Sequence, residues 1–87
     1  MRVFYPKKFL KQLKKRPKEE QEKFYEAIGI FVADPLHPLL YNHQLHGKYA
    51  GYRSIDITGN LRAVFKERSH DIARFSAIGT HHQLYGT

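Results

Sequence analysis

The apolar positions change period along the chain, and the changes divide it into elements. Phe9, Leu10 and Leu13 keep helical spacing, while Lys7, Lys8, Lys11, Lys14 and Lys15 occupy the rest of the circumference. A basic amphipathic helix is therefore expected from Pro6, whose fixed φ suits a first helical position, to a stop at Pro17. Ahead of it, Arg2-Val3-Phe4-Tyr5 is a short β-prone segment that Pro6 ends. Pro17 opens a second helix, in which Glu19, Glu20 and Glu22 put negative charge where the helix dipole favours it. Phe24, Ala27, Ile28 and Phe31 follow as one apolar stripe at i, i+3, i+4 and i+7, and this stripe should pack on a sheet. Asp34-Pro35 and Pro38 end the helix and leave a loop to about Tyr41.

From Tyr49 the period is two, with Ile55 and Ile57 on one face of a strand and Tyr52, Ser54 and Asp56 on the other. Thr58-Gly59-Asn60 reads as a three-residue turn with Gly59 or Asn60 in the left-handed region, and Leu61 to Glu67 returns as a second strand. In that register Ile57 faces Leu61, Asp56 faces Arg62 and Ile55 faces Ala63. Ile55, Ile57, Leu61, Ala63 and Phe65 then share a core face, and Tyr52, Asp56, Arg62 and Lys66 share the opposite one. A two-residue loop would flip one strand and bury Arg62. Ser69-His70-Asp71 makes the next turn, and Ile72 to Ile78 is a third strand without clean alternation, as in a central strand covered on both faces. The expected fold is α+β, ordered β-α-α-β-β-β, a small antiparallel sheet with two N-terminal helices packed on one face. With 87 residues the chain suits one domain, 1–87.

Charge narrows the partners. Fifteen basic against eight acidic side chains leave +7, enough to draw in a polyanion, either nucleic acid or an acidic protein. The 41% apolar and 14% aromatic content is that of a folded chain, not a disordered one. The absence of cysteine excludes disulfides and thiolate chemistry and fits a reducing compartment. No apolar run approaches the roughly 20 residues of a membrane helix and no signal-peptide core is visible, so no membrane is expected as partner and the cytoplasm is the expected location.

Two histidine-bearing segments remain, His43-Gln44-Leu45-His46-Gly47 and Gly79-Thr80-His81-His82, with Tyr85 just beyond. Between them lies a hairpin with Arg53 and Arg62. Metal-free RNA cleavage needs a base for the 2′-hydroxyl proton, cations for the phosphate charge and an acid for the leaving oxygen, and imidazole can do either proton task near neutral pH. Each histidine by itself also fits a solvated surface position.

The wider pattern is His43-x-Leu45-x-Gly47, Gly51-Tyr52-Arg53, Arg62-x-Val64-Phe65-Lys66, Ile78-Gly79-Thr80-His81 and Leu84-Tyr85. It resembles the RelE/YafQ-like toxins of bacterial type II toxin–antitoxin systems, over most of the chain. The resemblance implies a RelE-like microbial RNase fold and an endoribonuclease, an mRNA interferase acting at the ribosome. In such toxins the histidine of the terminal Gly-Thr-His motif is catalytic, which His81 matches, and the His-x-Leu-x-Gly histidine, matched by His43, is also functional. Arg62 matches a strand arginine used against the scissile phosphate, and Tyr85 a terminal aromatic that stacks on a base or steadies the phosphate. The same resemblance assigns Arg53, with Lys48 and Lys66, to the RNA backbone, places His46 and His82 beside the site, and reads the basic first helix as a contact to ribosomal RNA.

Asp56 and Asn60 depart from the best-characterised relatives, where a histidine and an aspartate align. Asp56 either accepts a proton, orients a histidine, or pairs with Arg62 across the hairpin. The chief rival reading is a same-fold toxin that binds DNA gyrase, like the ParE type, against which the paired histidines argue; the exchange keeps open a decayed module that binds only RNA or its antitoxin. The expected partners are a cognate antitoxin, often acidic and helical in this family, together with mRNA and ribosomal RNA. No cofactor and no metal are expected, because adjacent histidines on a strand end point apart and no carboxylate stands at ligand spacing.

Overall fold

The computed structural model describes residues 1–86; Thr87, the last residue of the expected domain 1–87, lies outside the described residues. Pro6 and Pro17 divide the amino-terminal part as the pattern predicts: β1 is Arg2–Phe4, α1 is Lys7–Lys14 and α2 is Lys18–Ala33. α1 buries Phe9 and Leu13, and α2 buries Phe24, Ala27, Ile28 and Phe31, the residues of the two apolar stripes. The remaining elements are β2 (His43–Gln44), β3 (Arg53–Asp56), β4 (Leu61–Ser69), β5 (Ile72–Thr80) and α3 (His81–Tyr85).

The five strands lie in the order β1-β5-β4-β3-β2. The antiparallel expectation holds for the pairs among β2 to β5, whereas β1 runs parallel to β5, so the sheet is mixed. Because β1 pairs with the last strand, its direction depends on how the chain closes and leaves no mark in the local pattern. β2 is also an addition: the two-residue strand at the His43 segment extends the sheet by one edge.

The β3–β4 register is the expected one, with Asp56 opposite Arg62 and Ile55 opposite Ala63, and Ile57 N–H donates to the Leu61 carbonyl at 2.8 Å. The turn itself works differently. Neither Gly59 nor Asn60 has a positive φ. Instead Thr58 Oγ1 accepts from Asn60 N–H at 3.3 Å and Leu61 N–H at 3.0 Å, so a side chain closes the loop. The strand also starts at Arg53, not at Tyr49, because Gly47–Tyr49 coils into a 3-10 turn that needs Gly47 and Gly51 at positive φ.

β5 fails to alternate for a specific reason. Val64 pairs with Ala77 and Phe65 with Phe75, which leaves Ser76 as an extra residue in a β-bulge. Phe75 and Ile78, three apart, can therefore both enter the same core, with Phe9, Phe24, Phe31, Ile55, Leu61, Ala63 and Phe65. Gln12, on α1, supplies its Oε1 to Ile78 N–H at 3.1 Å beside this irregularity. Both long helices cover this face. The other face carries Asp56, Arg62 and Lys66, as read from the sequence, and also buries Ser54 and Val64.

Phe75 is the centre of the aromatic core, so Phe75→Ala should lower the unfolding free energy by about 3–5 kcal/mol, read as a fall in the urea midpoint. A second expectation concerns alkaline stability. Burial, with a smaller contribution from Tyr25, pushes the Tyr5 phenol up from 10.0 to about 12. The folded state thus holds this proton more tightly than the unfolded one, and the corresponding stability is present below pH 10.0 and lost as pH rises towards about 12. Tyr5→Phe should flatten the decline over that window in thermal melts; an unchanged slope would remove Tyr5 as its source.

Candidate active site

The Gly79-Thr80-His81 segment is built for a strand-to-helix junction. Thr80 ends β5 and caps α3: its Oγ1 accepts from Gln83 N–H at 3.1 Å, while Gln83 Oε1 accepts from Thr80 N–H at 2.9 Å. Gly79 makes room, since a Cβ there would stand 3.0 Å from Gln83 Oε1 and 3.3 Å from Gln83 Cβ. The Gly-Thr pair is therefore strand end and cap. Gln83 Oε1 also accepts from Arg16 Nη1 at 2.9 Å, and Arg16 is held by Glu20 at 2.7 Å, which ties α3 to the end of α1. His81 and Tyr85, one helical turn apart, meet edge to face with ring centres 4.7 Å apart.

His43 enters from the far edge of the sheet. It pairs with Ser54 on β3, which places it on the same face as Asp56 and Arg62. Its Nδ1 lies 2.8 Å from the Tyr41 carbonyl oxygen. A carbonyl can only accept, so the neutral ring carries its proton on Nδ1 and keeps a lone pair on Nε2. Tyr41 makes this contact from the left-handed region, at φ 47°, a conformation that costs a non-glycine residue about 1–2 kcal/mol. Sequence reasoning missed Tyr41, and a solitary aromatic in a Pro-rich loop carries no signal for such a role.

These pieces converge. One cavity of about 400 Å³ is lined by His43, His46, Arg62, His81 and Tyr85, with Tyr41, Gln44 and Leu45 completing the wall. Three imidazoles, a guanidinium and two phenols thus line one space that no carboxylate lines. Arg62 gives Nη1 to Asp56 Oδ1 at 2.8 Å, while its Nε is buried without a protein partner among the described residues. The Tyr85 hydroxyl is buried and unpartnered in the same way. Leaving buried donors unpaired costs about 1–3 kcal/mol each. An anionic oxygen is the partner that would relieve both.

Residues 1–86 match the family model described as the bacterial toxin of type II toxin–antitoxin systems, YafQ. The chain belongs to the YafQ toxin family. Its fold is similar to that of YafQ from E. coli strain BL21(DE3), with a TM-score of 0.80 and 23% identity over 99% of this chain and 100% of that one. The E. coli DinJ–YafQ toxin–antitoxin complex aligns with a TM-score of 0.76 and 23% identity, over 97% of this chain and 96% of that one. A YoeB/ParE toxin from Agrobacterium tumefaciens gives 0.73 and 21%, over 93% and 99%. No curated protein sequence gives a significant match.

Within this YafQ-family chain several expected site residues stand apart from the cavity. Arg53 pairs with Phe65, on the face opposite to Arg62, and its Nε donates to Asn42 Oδ1 at 2.7 Å; it anchors the loop, whose Asn42 in turn donates to the Pro35 carbonyl. Asp56 does not line the cavity and acts on Arg62 through the cross-hairpin pair. His82 is exposed on α3 outside the wall. Lys48 and Lys66 share none of the cavity and lie over the Tyr49 and Tyr52 rings, at 5.5 and 5.3 Å. Among the described residues no group of three or more His, Cys, Asp or Glu is placed to hold a metal ion, and no helix is long and apolar enough to cross a membrane.

The unpaired donors make a direct expectation. Titration with inorganic phosphate should shift the NMR signals of Arg62 Nε–H, and those of Arg53 Nε–H should stay in place. Arg62→Ala should abolish saturable shifts at the cavity imidazoles. Shifts at Arg53 alone would put the anion elsewhere.

Proposed function

We propose that this toxin is an endoribonuclease that cleaves mRNA by attack of a 2′-hydroxyl on the adjacent phosphate, with side chains in place of a metal. The observation that carries this reading is the cavity that Arg62 and Tyr85 line together with His43 and His81, Arg62 and Tyr85 each keeping a buried, unpaired donor, Nε and the hydroxyl, among the described residues. His43 is the base: with Nδ1–H directed at the Tyr41 carbonyl, its Nε2 takes the 2′-hydroxyl proton. The 2′-oxygen then bonds to phosphorus and the bond to the 5′-oxygen breaks, leaving a 2′,3′-cyclic phosphate. His81, as the imidazolium, gives its proton to the departing 5′-oxygen. Arg62 holds the charge that builds on the phosphate oxygens, in the two-bond manner open to a guanidinium, and Tyr85 donates a further bond. Asp56 positions Arg62, which accommodates the exchange from the relatives' histidine. His46 borders the substrate.

The family supports the setting. A type II toxin is neutralised by a cognate antitoxin, and the E. coli relative was solved with DinJ. A surface at +7 favours an acidic antitoxin segment and, in its absence, mRNA and ribosomal RNA. The cytoplasm, where translation occurs, is the place of action.

Induced expression in bacteria of the wild type and of His81→Ala, with mRNA 5′ ends mapped by primer extension, tests this. Wild type should arrest growth and create new in-frame ends, and His81→Ala should lower cleavage by about 10²–10⁴-fold while keeping antitoxin binding. With purified protein, cleavage should persist in a chelator. Growth arrest without new ends would overturn the nuclease reading and direct attention to gyrase; no arrest at all would fit a decayed binding module.

A further inference from the structure

Beyond the cavity, the sheet face opposite α1 and α2 carries, next to α3, an ordered set of rings and cations that no step of the proposed chemistry uses. Tyr85, at the cavity wall, meets Tyr49 edge to face at 5.7 Å, and Tyr49 meets Tyr52 at 6.0 Å. The 3-10 turn at Gly47–Tyr49, with Gly47 and Gly51 at positive φ, brings these two tyrosines side by side, and Leu45 N–H closes the loop on the Tyr52 carbonyl at 2.9 Å. Register continues the line across the strands, because Lys66 pairs with Arg74 and Arg74 with Phe4. Phe4 is 54% exposed, unusual for a phenylalanine in a strand. Each outlying ring has a cation against it: Lys48 at Tyr49, Lys66 at Tyr52 and Arg74 at Phe4, at 5.5, 5.3 and 5.9 Å.

We infer that this row is a binding track for the single-stranded RNA that flanks the cleaved bond, with bases stacked on Tyr49, Tyr52 and Phe4 and phosphates on Lys48, Lys66 and Arg74. The inference rests on the nuclease reading for its occupant. An exposed sheet face with aromatic side chains is a general platform for two or three unpaired bases. The interleaved cations give the charge that a phosphate chain needs, and of the nearby carboxylates Asp56 is engaged by Arg62, while Glu67 lines a small cavity with Tyr52 and Arg53. Relative strength favours the exchange. A cation against an exposed ring is worth about two- to fivefold in an equilibrium constant, whereas a base stacked on an aromatic is worth about 5- to 150-fold. An arriving base therefore displaces the ammonium, which moves to the adjacent phosphate.

The test uses 2′-O-methyl oligonucleotides, which lack the attacking hydroxyl, and fluorescence anisotropy with the full chain free of antitoxin. An octanucleotide should bind more tightly than a dinucleotide. The double variant Tyr49→Ala/Tyr52→Ala should lose about 25-fold or more of octanucleotide affinity, and Tyr49→Phe/Tyr52→Phe should restore it. Should the alanine variant not fold, Lys66→Ala and Arg74→Ala, both on strand surfaces, serve instead: each should reduce the slope of log affinity against log salt by about 0.7. Equal affinity for the two lengths, or an unaltered salt slope in both lysine and arginine variants, would overturn the track. So would loss of antitoxin binding in the tyrosine variant with RNA binding intact, which would assign the face to the antitoxin. Length-dependent binding by a wild type that cuts no RNA would sink the nuclease reading and leave the track standing.

Discussion

Phe75 packs its ring against those of Tyr5, Phe9, Phe24, Phe31 and Phe65, with centres between 5.2 and 5.9 Å away. Those rings come from α1, α2, β4 and the chain just after β1, so this one side chain joins the helices to the sheet. Its position is possible because the strand bulges at the next residue. Without the extra Ser76, strict alternation would put Ile78 and Phe75 on opposite faces. With it, Ile78 joins the core, Gly79 falls opposite Arg62 on the outer face, and the chain leaves the strand where His81 lines the same cavity as the arginine.

The cavity is thus assembled from two chain segments that owe their places to different forces. α3 has only five residues and cannot be stable by itself. Its capping box, the close approach over Gly79 and the Arg16 to Gln83 bond hold it, and Leu84 is buried beneath it. His43 arrives through a two-residue edge strand and a left-handed Tyr41, a local strain sustained by the surrounding loop contacts. Both devices set the direction of an imidazole, one by packing and one by a hydrogen bond to a carbonyl.

The Asp56–Arg62 pair shows how an apparent loss of a site residue can be absorbed. Its side chains are 28% and 20% exposed, so its contribution to stability is small. Its consequence is geometric: with Nη1 committed to Asp56, the guanidinium is oriented with Nε buried at the cavity.

Local pattern alone determined the two helices, their proline boundaries, the two apolar stripes and the β3–β4 register, because each rests on periodicity or on the cost of burying Arg62. It also marked His43, Arg62, His81 and Tyr85, which the fold gathers at one cavity. Arg53, whose motif suggested RNA, stands by its parity with Ile55 on the other face and bonds to Asn42. The irregular β5, the parallel β1 and the short α3 were beyond it, since a bulge, a closing strand and a capped terminal turn depend on partners far along the chain. Only the tertiary structure decided that four chemically apt side chains, 42 residues apart from His43 to Tyr85, share one space, because the bulge beside Phe75 and the clamp on Gln83 act between elements that sequence spacing does not connect.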